Sequence, residues 1–177
     1  MAAPMSLEPP WTRWGAAKFW RAAHATAVAR NERWRDAEGD EMFWRGFAPH
    51  YDERSPLAEN APELVADLRA LLPAGASLLE IGCGTGAFTR RLAKNLSKIT
   101  CVEPSASMRA AFEAAWVEEQ PYEFIPTDWL VAPMTLSADV VLCANALYRT
   151  DDIASALQKM TFAARRTVAI VQTVGRP

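Results

Sequence analysis

Three glycines at alternate positions, Gly82, Gly84 and Gly86, follow directly on the apolar run Ser77-Leu78-Leu79-Glu80-Ile81. A short apolar run that ends in glycines reads as a buried strand turning sharply at its tip. Glycine is required where the backbone turns tightly and where a ligand must approach without a Cβ in the way. Phe88, Leu92 and Leu96 then space the inner face of a helix, with Arg90, Arg91 and Lys94 on its water side. The free N–H groups opening such a helix, with their partial positive charge, favour a carboxylate or a phosphate.

The alternation continues along the chain. Asn60-Ala61-Pro62-Glu63 reads as a helix start with Asn60 as N-cap; Leu64, Val65, Leu68 and Leu72 form its buried face, and Pro73 and Gly75 stop it. Ile99-Thr100-Cys101-Val102 is a second strand, residues 122–125 a third, Asp139-Val140-Val141-Leu142-Cys143 a fourth and Thr167-Val168-Ala169-Ile170-Val171 a fifth. Between them lie helical stripes: Met108, Ala111, Phe112, Ala115 and Trp116, then Ile153, Ala156, Leu157 and Met160 capped by Asp151 or Asp152. Strands alternating with helices imply right-handed βαβ units, hence an α/β three-layer αβα sandwich on a mainly parallel sheet.

Before residue 60 the pattern differs. Residues 11–47 read as helical, with Trp11, Trp14, Trp20, Trp34 and Trp44 forming a burying stripe among alanines; Gly39 divides the stretch into two helices, and Phe43, Trp44 and Phe47 carry the apolar face onward. The division is therefore a helical extension or cap over residues 1–59 and a core over 60–177. The stripe reads as packing. The charges Arg13, Lys18, Arg21, Arg30, Arg33 and Arg35 against Glu32 read as a solvated face, or as a surface for an anionic substrate or partner.

With 177 residues, 50% hydrophobic and 23% charged, the chain fits one globular domain. A net charge of −2 gives no reason to expect a nucleic-acid surface. Cys83, Cys101 and Cys143 are too few and too scattered for a disulfide framework or a metal site, which fits a reducing, cytoplasmic setting. No run approaches the roughly 18 apolar residues of a membrane span. His24 and His50 read as structural.

In a parallel sheet, ligands sit beyond the carboxyl ends of the strands. The second strand ends at Glu103, whose carboxylate can accept from both hydroxyls of a ribose. A glycine turn beside such an acid is an adenosine-cofactor constellation. Gly82-x-Gly84-x-x-Ala87 also satisfies the dinucleotide fingerprint, so a nicotinamide-dependent oxidoreductase stands as one alternative.

The run Leu79-Glu80-Ile81-Gly82-Cys83-Gly84-Thr85-Gly86 closely resembles the first motif of class I S-adenosylmethionine (SAM)-dependent methyltransferases. Glu103-Pro104-Ser105 with Met108 is similar to their second motif, Thr127-Asp128-Trp129 to a Gly-Asp pair beside the adenine, and Tyr51-Asp52 to a pair upstream of the core. The resemblance spans roughly residues 40–173. It implies a Rossmann-like fold and SAM as cofactor. Glu80, Gly82 and Gly84 would hold the methionine end, with Cys83 and Gly86 in the same turn. Glu103 would hold the ribose, Pro104 and Met108 would wall the adenine, Asp128 would accept from its amine, and Trp129 would cover the base. Tyr51 would close over the sulfonium, unless it is a packing aromatic; Asp128 reads equally as a plain turn residue.

Asn145-Ala146-Leu147-Tyr148 falls where amino-group methyltransferases carry Asn/Asp-Pro-Pro-Tyr, and the absence of both prolines points away from adenine or glutamine acceptors. Asn145 remains a cofactor contact, and Tyr148 faces the acceptor. Methyl transfer from a sulfonium needs alignment more than a nucleophile; Tyr51, His50 and Tyr148 are the candidates should a proton have to leave. The expected acceptor is a small molecule. Family members continue past the fifth strand into an antiparallel hairpin, whereas this chain stops at Gly175-Arg176-Pro177. The hairpin is expected to be missing and the sheet edge exposed or covered by a partner, with a homodimer as one form of cover and a non-catalytic SAM-binding subunit or sensor as the alternative function.

Overall fold

The computed structural model describes residues 15–34, 36–55 and 61–173. Trp11, Trp14, Arg13, Arg35, the Asn60 cap and the last four residues lie outside them. The elements in chain order are α1 (Ala16–Arg30), α2 (Ala37–Phe47), α3 (Tyr51–Arg54), α4 (Ala61–Ala70), β1 (Ser77–Ile81), α5 (Ala87–Leu92), β2 (Lys98–Val102), α6 (Ala106–Ala115), β3 (Glu123–Ile125), β4 (Ala138–Ala144), α7 (Ile153–Ala163) and β5 (Ala164–Val171).

All strand pairs are parallel, in the order β3-β2-β1-β4-β5. Successive residues of the central strands face opposite sides, and both sides are buried. Leu78, Ile99, Cys101, Val140 and Leu142 meet Val65 and Leu68 of α4, Phe88 and Leu92 of α5 and Phe112 of α6. Leu79, Ile81, Val102, Val141 and Cys143 meet Trp129 and Ala156 and Met160 of α7. Burial on both faces explains why these strands read as continuous apolar runs rather than alternating ones. Phe112 is the largest fully buried side chain and stacks on Trp116 at 5.2 Å between ring centroids; truncating it to alanine should cost about 3–5 kcal/mol.

Several expectations shift in detail. Gly39 does not divide the N-terminal helices. Asn31 leaves the helical region at φ −126°, and Asp36 caps α2 by accepting from the Gly39 N–H at 2.7 Å, so Gly39 sits inside the first turn. The tryptophan stripe buries no residue of α1 fully; Trp20 is half-buried and donates to the Thr150 carbonyl at 2.7 Å. Helix α4 ends at Ala70, before Pro73. Arg90 is not on a water face: it pairs with Asp52 from α3. Asp152, not Asp151, caps α7, accepting from the Ser155 N–H at 3.2 Å. Among the described residues no helix is long and apolar enough to cross a membrane.

Candidate functional site

The sheet order changes direction between β1 and β4, and the crevice that this opens beyond the strand ends is where α/β proteins place ligands. A cavity of about 510 Å³ lies there. The glycine turn forms its floor. Gly82 has φ +66°, and a Cβ on it would stand 2.3 Å from the Ala146 Cβ, so the turns after β1 and β4 touch only because that position lacks a side chain. Gly84, at φ +54°, also lines the cavity. Gly86 does not: a Cβ there would meet the Phe112 ring at 2.4 Å, so its role is to let α5 and α6 close together.

Two carboxyl groups sit on this floor. Glu80 is 1% exposed and accepts from the Thr89 hydroxyl. Burial pushes its pKa up to about 8, opposed by the Thr89 hydrogen bonds and assisted by the nearby Glu103 charge. Glu103 closes β2 and is also buried; it accepts from the Gly84 N–H at 3.1 Å and the Ser105 N–H at 2.9 Å. Burial raises its pKa to about 7 against those two bonds. The carboxylate is thereby fixed against the turn whose glycines it adjoins. Cys83 is buried in the same turn, and burial raises its thiol pKa, so it behaves as packing rather than as a nucleophile.

The remaining predicted residues divide. Pro104, Met108, Asp128, Trp129, Asn145, Tyr51 and Tyr148 all line the cavity, together with Glu80, Cys83 and Glu103. Trp129 is 6% exposed and its indole N–H donates to the Ala156 carbonyl at 3.1 Å, so it is a core residue with one surface on the cavity rather than a free cover. Asn145 adopts φ +52°, and its side-chain oxygen accepts from Gln172 at 2.9 Å and Thr173 at 3.3 Å, tying the end of β4 to the end of β5. His50 is exposed and does not line the cavity. Burial raises the pKa of Tyr51 and of Tyr148, so both are phenols at neutral pH, suited to donating a hydrogen bond rather than removing a proton. The described residues contain no cluster of three or more His, Cys, Asp or Glu able to hold a metal ion.

Sequence reading named Trp44 as packing and Asp52 within the Tyr51-Asp52 pair, but missed Asp40 and Glu41, which roof the cavity with them. Asp40, Glu41 and Trp44 of α2 and Asp52 of α3 line it, and the three carboxylates each bind a residue of the core. Asp40 pairs with Arg33 at 2.7 Å and with Arg149 at 3.1 Å. Glu41 accepts from the Ser105 hydroxyl at 2.7 Å and from the Ser107 N–H and hydroxyl at 2.9 and 2.6 Å, at the start of α6. Desolvation works against its charge, but the Ser107 and Ser105 bonds prevail and hold its pKa below the ordinary value. Asp52 accepts from the Thr85 hydroxyl at 2.5 Å and from Arg90. Only partner residues distant in sequence distinguish Asp40 and Glu41 from surface acids, and spacing carries no such signal.

A Rossmann-like α/β fold with its glycine turn and strand-end acid facing one cavity defines a nucleoside-cofactor architecture. A family model described as a methyltransferase domain matches residues 79–167, half of the chain, and the chain belongs to that family. Over 89 residues it is 32% identical to YqeM of Bacillus subtilis (strain 168), a protein named as a methyltransferase; the match covers 49% of this chain and 35% of that protein, so it spans about a third of this relative's length. Among solved structures it is similar to DhpI in complex with S-adenosylhomocysteine (SAH), with a TM-score of 0.65 and 23% identity over 76% of this chain and 68% of that one. It is similar also to the plantazolicin methyltransferase BpumL in complex with a pentazolic desmethylPZN analog and SAH, with a TM-score of 0.66 and 17% identity over 90% and 62%. At these identities the likeness is one of fold.

Proposed function

We propose that the cavity binds SAM and that the chain transfers its methyl group to a small-molecule acceptor. The observation that carries this reading is the pairing of Glu103, buried and fixed by the Gly84 and Ser105 N–H groups, with Glu80 on the floor of one cavity at the sheet's switch point. Family membership over residues 79–167 and the two SAH-bound neighbours support it.

Bound there, SAM supplies an electrophilic methyl on a positive sulfonium. Glu80 and the backbone of Gly82 and Gly84 hold the methionine end, Glu103 the ribose, and Pro104, Met108 and Asp128 the adenine side. Residues 1–59 act as a cap on a core of residues 60–177: Trp44 and Tyr51 from the cap and Tyr148 from the core enclose the acceptor side and exclude water. Their chemistry is alignment in a dry site, where effective molarities of about 10⁵–10⁸ M are attainable. Because both tyrosines stay protonated, they orient the acceptor by donating hydrogen bonds and do not remove its proton.

Calorimetry with SAH and with NAD tests the cofactor. SAH should bind and NAD should not; the reverse result would reject the assignment. Conversion of labelled SAM to SAH across a panel of small amines, carboxylates and hydroxy-aromatics then tests the transfer. Binding without turnover on every acceptor would instead mark a non-catalytic SAM-binding subunit.

A further inference from the structure

Lys159 of α7 is 7% exposed, and among the described residues its ammonium forms no ion pair with a carboxylate. Its ammonium donates to three backbone carbonyls of one turn: Trp129 at 2.7 Å, Leu130 at 3.2 Å and Ala132 at 2.5 Å. An ammonium has three donors, and all are used. The same nitrogen stands 4.6 Å from the centre of the Trp129 ring, whose N–H is held by Ala156 one helical turn earlier. Helix α7 thus grips the 128–132 turn by its carbonyls, its indole face and its indole N–H.

The turn's leading residue faces the cavity. The Asp128 carbonyl accepts from the Val131 and Ala132 N–H groups at 3.2 and 3.0 Å, and its Oδ1 accepts from the Leu130 N–H at 2.8 Å. The other carboxylate oxygen has no hydrogen bond among the described residues, and Asp128 lines the cavity beside Met108 and Pro104. A buried ammonium is expensive unless fully hydrogen-bonded, and an apolar side chain in this place would be simpler if packing were its whole purpose. Burial lowers the Lys159 pKa, while the Asp128 charge acts in the opposite sense.

We propose that Lys159 is a positioning residue that sets the nucleobase selectivity of the cavity, by fixing the 128–132 turn so that Asp128 accepts from an exocyclic amine on the base. This rests on the nucleoside cofactor proposed above. A base with a carbonyl in place of the amine would set two acceptors against each other; one Asp128 oxygen is held by the Leu130 N–H, and Lys159 holds the Leu130 carbonyl of the same turn.

The test is the ratio of affinities for SAH and S-inosylhomocysteine, measured by calorimetry on the full chain. The wild type should prefer SAH by roughly tenfold to a hundredfold, the range of a hydrogen bond to a charged group. Lys159→Met should bring the ratio close to one, Lys159→Arg should restore most of it, and Asp128→Asn combined with Lys159→Met should lose no more than Asp128→Asn alone. A Lys159→Met protein that melts lower but keeps the wild-type ratio would reduce the lysine to a stabilising role and overturn the proposal. Should Lys159→Met not fold, Lys159→Gln carries the same ratio test. Wild type that binds neither ligand overturns the cofactor reading itself, whereas wild type that binds both equally overturns only the inference drawn from Asp128 and Lys159.

Discussion

At the level of single residues, the cavity floor stores an electrostatic cost. Glu80 has a folded pKa raised to about 8 from an ordinary 4.5, chiefly by burial. Between those values the folded chain binds more protons than the unfolded one, so this group's contribution to stability declines as pH rises from about 4.5 to about 8 and then levels off. Glu80→Gln removes the titration and should raise the melting temperature of the ligand-free protein at pH 8.5, by an amount corresponding to a few kcal/mol, with little change at pH 5. On the role proposed for Glu80 at the methionine end, the same variant should bind SAH more weakly. Thermal melts at the two pH values would refute this if the variant were less stable at pH 8.5. The glycines make a second case. Gly82→Ala must fit a methyl 2.3 Å from Ala146 at positive φ, and Gly86→Ala one 2.4 Å from Phe112. Both should destabilise by about 1–3 kcal/mol or more. Gly82→Ala should in addition push the β4 turn into the cavity and weaken SAH beyond its stability loss, measurable as a larger drop in ligand-induced melting shift. Legibility at this scale follows chain distance. Gly82, Gly84 and Glu103 stand in a local pattern and could be read; Asp52 could be read within its Tyr51-Asp52 pair but its partner Thr85, 33 residues away, could not, and Glu41 and Lys159 act on partners 64 and 30 residues away and carry no local signal.

Elements tell a similar story. The inner strands β1, β2 and β4 were visible because they are buried on both faces and so show near-continuous apolar runs, whereas the edge strands β3 and β5 are partly exposed and were read from shorter runs. Helix α1 was over-read: alanine and tryptophan content promised a buried stripe, but the helix leans on the rest through half-buried contacts such as Trp20 to Thr150 and His24 to the Arg149 carbonyl at 3.3 Å. Much of what holds the N-terminal helices is polar, beside apolar contacts such as Trp34 on Tyr148 at 5.5 Å between ring centroids. Glu41 occupies the start of α6, where free N–H groups and the helix dipole favour an anion, and Asp52 bridges Thr85 and Arg90 at the start of α5. Removing one partner of such a half-buried pair leaves the other short of a bond. Asp52→Ala should therefore loosen α3 and α2 locally, by about 1–2 kcal/mol, while leaving the sheet untouched. Hydrogen exchange would register faster exchange in residues 37–54 and unchanged protection in β1 and β4; equal loss of protection in the strands would contradict it.

For the molecule as a whole, the question is whether the roof and the sheet are one cooperative unit. Every residue of the two core clusters lies at Val65 or beyond, on α4 to β5. The N-terminal helices add Ala48 as their one fully buried apolar residue among those described. Since apolar burial is the dominant favourable term in folding, the sheet with its flanking helices should persist without the roof. The cavity should not, because Asp40, Glu41, Trp44, Tyr51 and Asp52 form one of its walls. A chain beginning at Ala61 should then retain its strand and helix content by circular dichroism and unfold cooperatively at a lower temperature. It should bind SAH at least tenfold more weakly than the full chain. The coupling also runs the other way: ligand that binds only the closed form stabilises it by mass action, about 2.7 kcal/mol at a hundred times the dissociation constant. SAH should thus slow exchange in α2 and α3 of the full chain, to a degree that grows with ligand concentration, because opening of the roof weakens the bound state. A truncated chain with undiminished SAH affinity would show that the roof takes no part in the site. A truncated chain that failed to fold would show that the polar clasps, and not the two apolar layers alone, hold the sheet together.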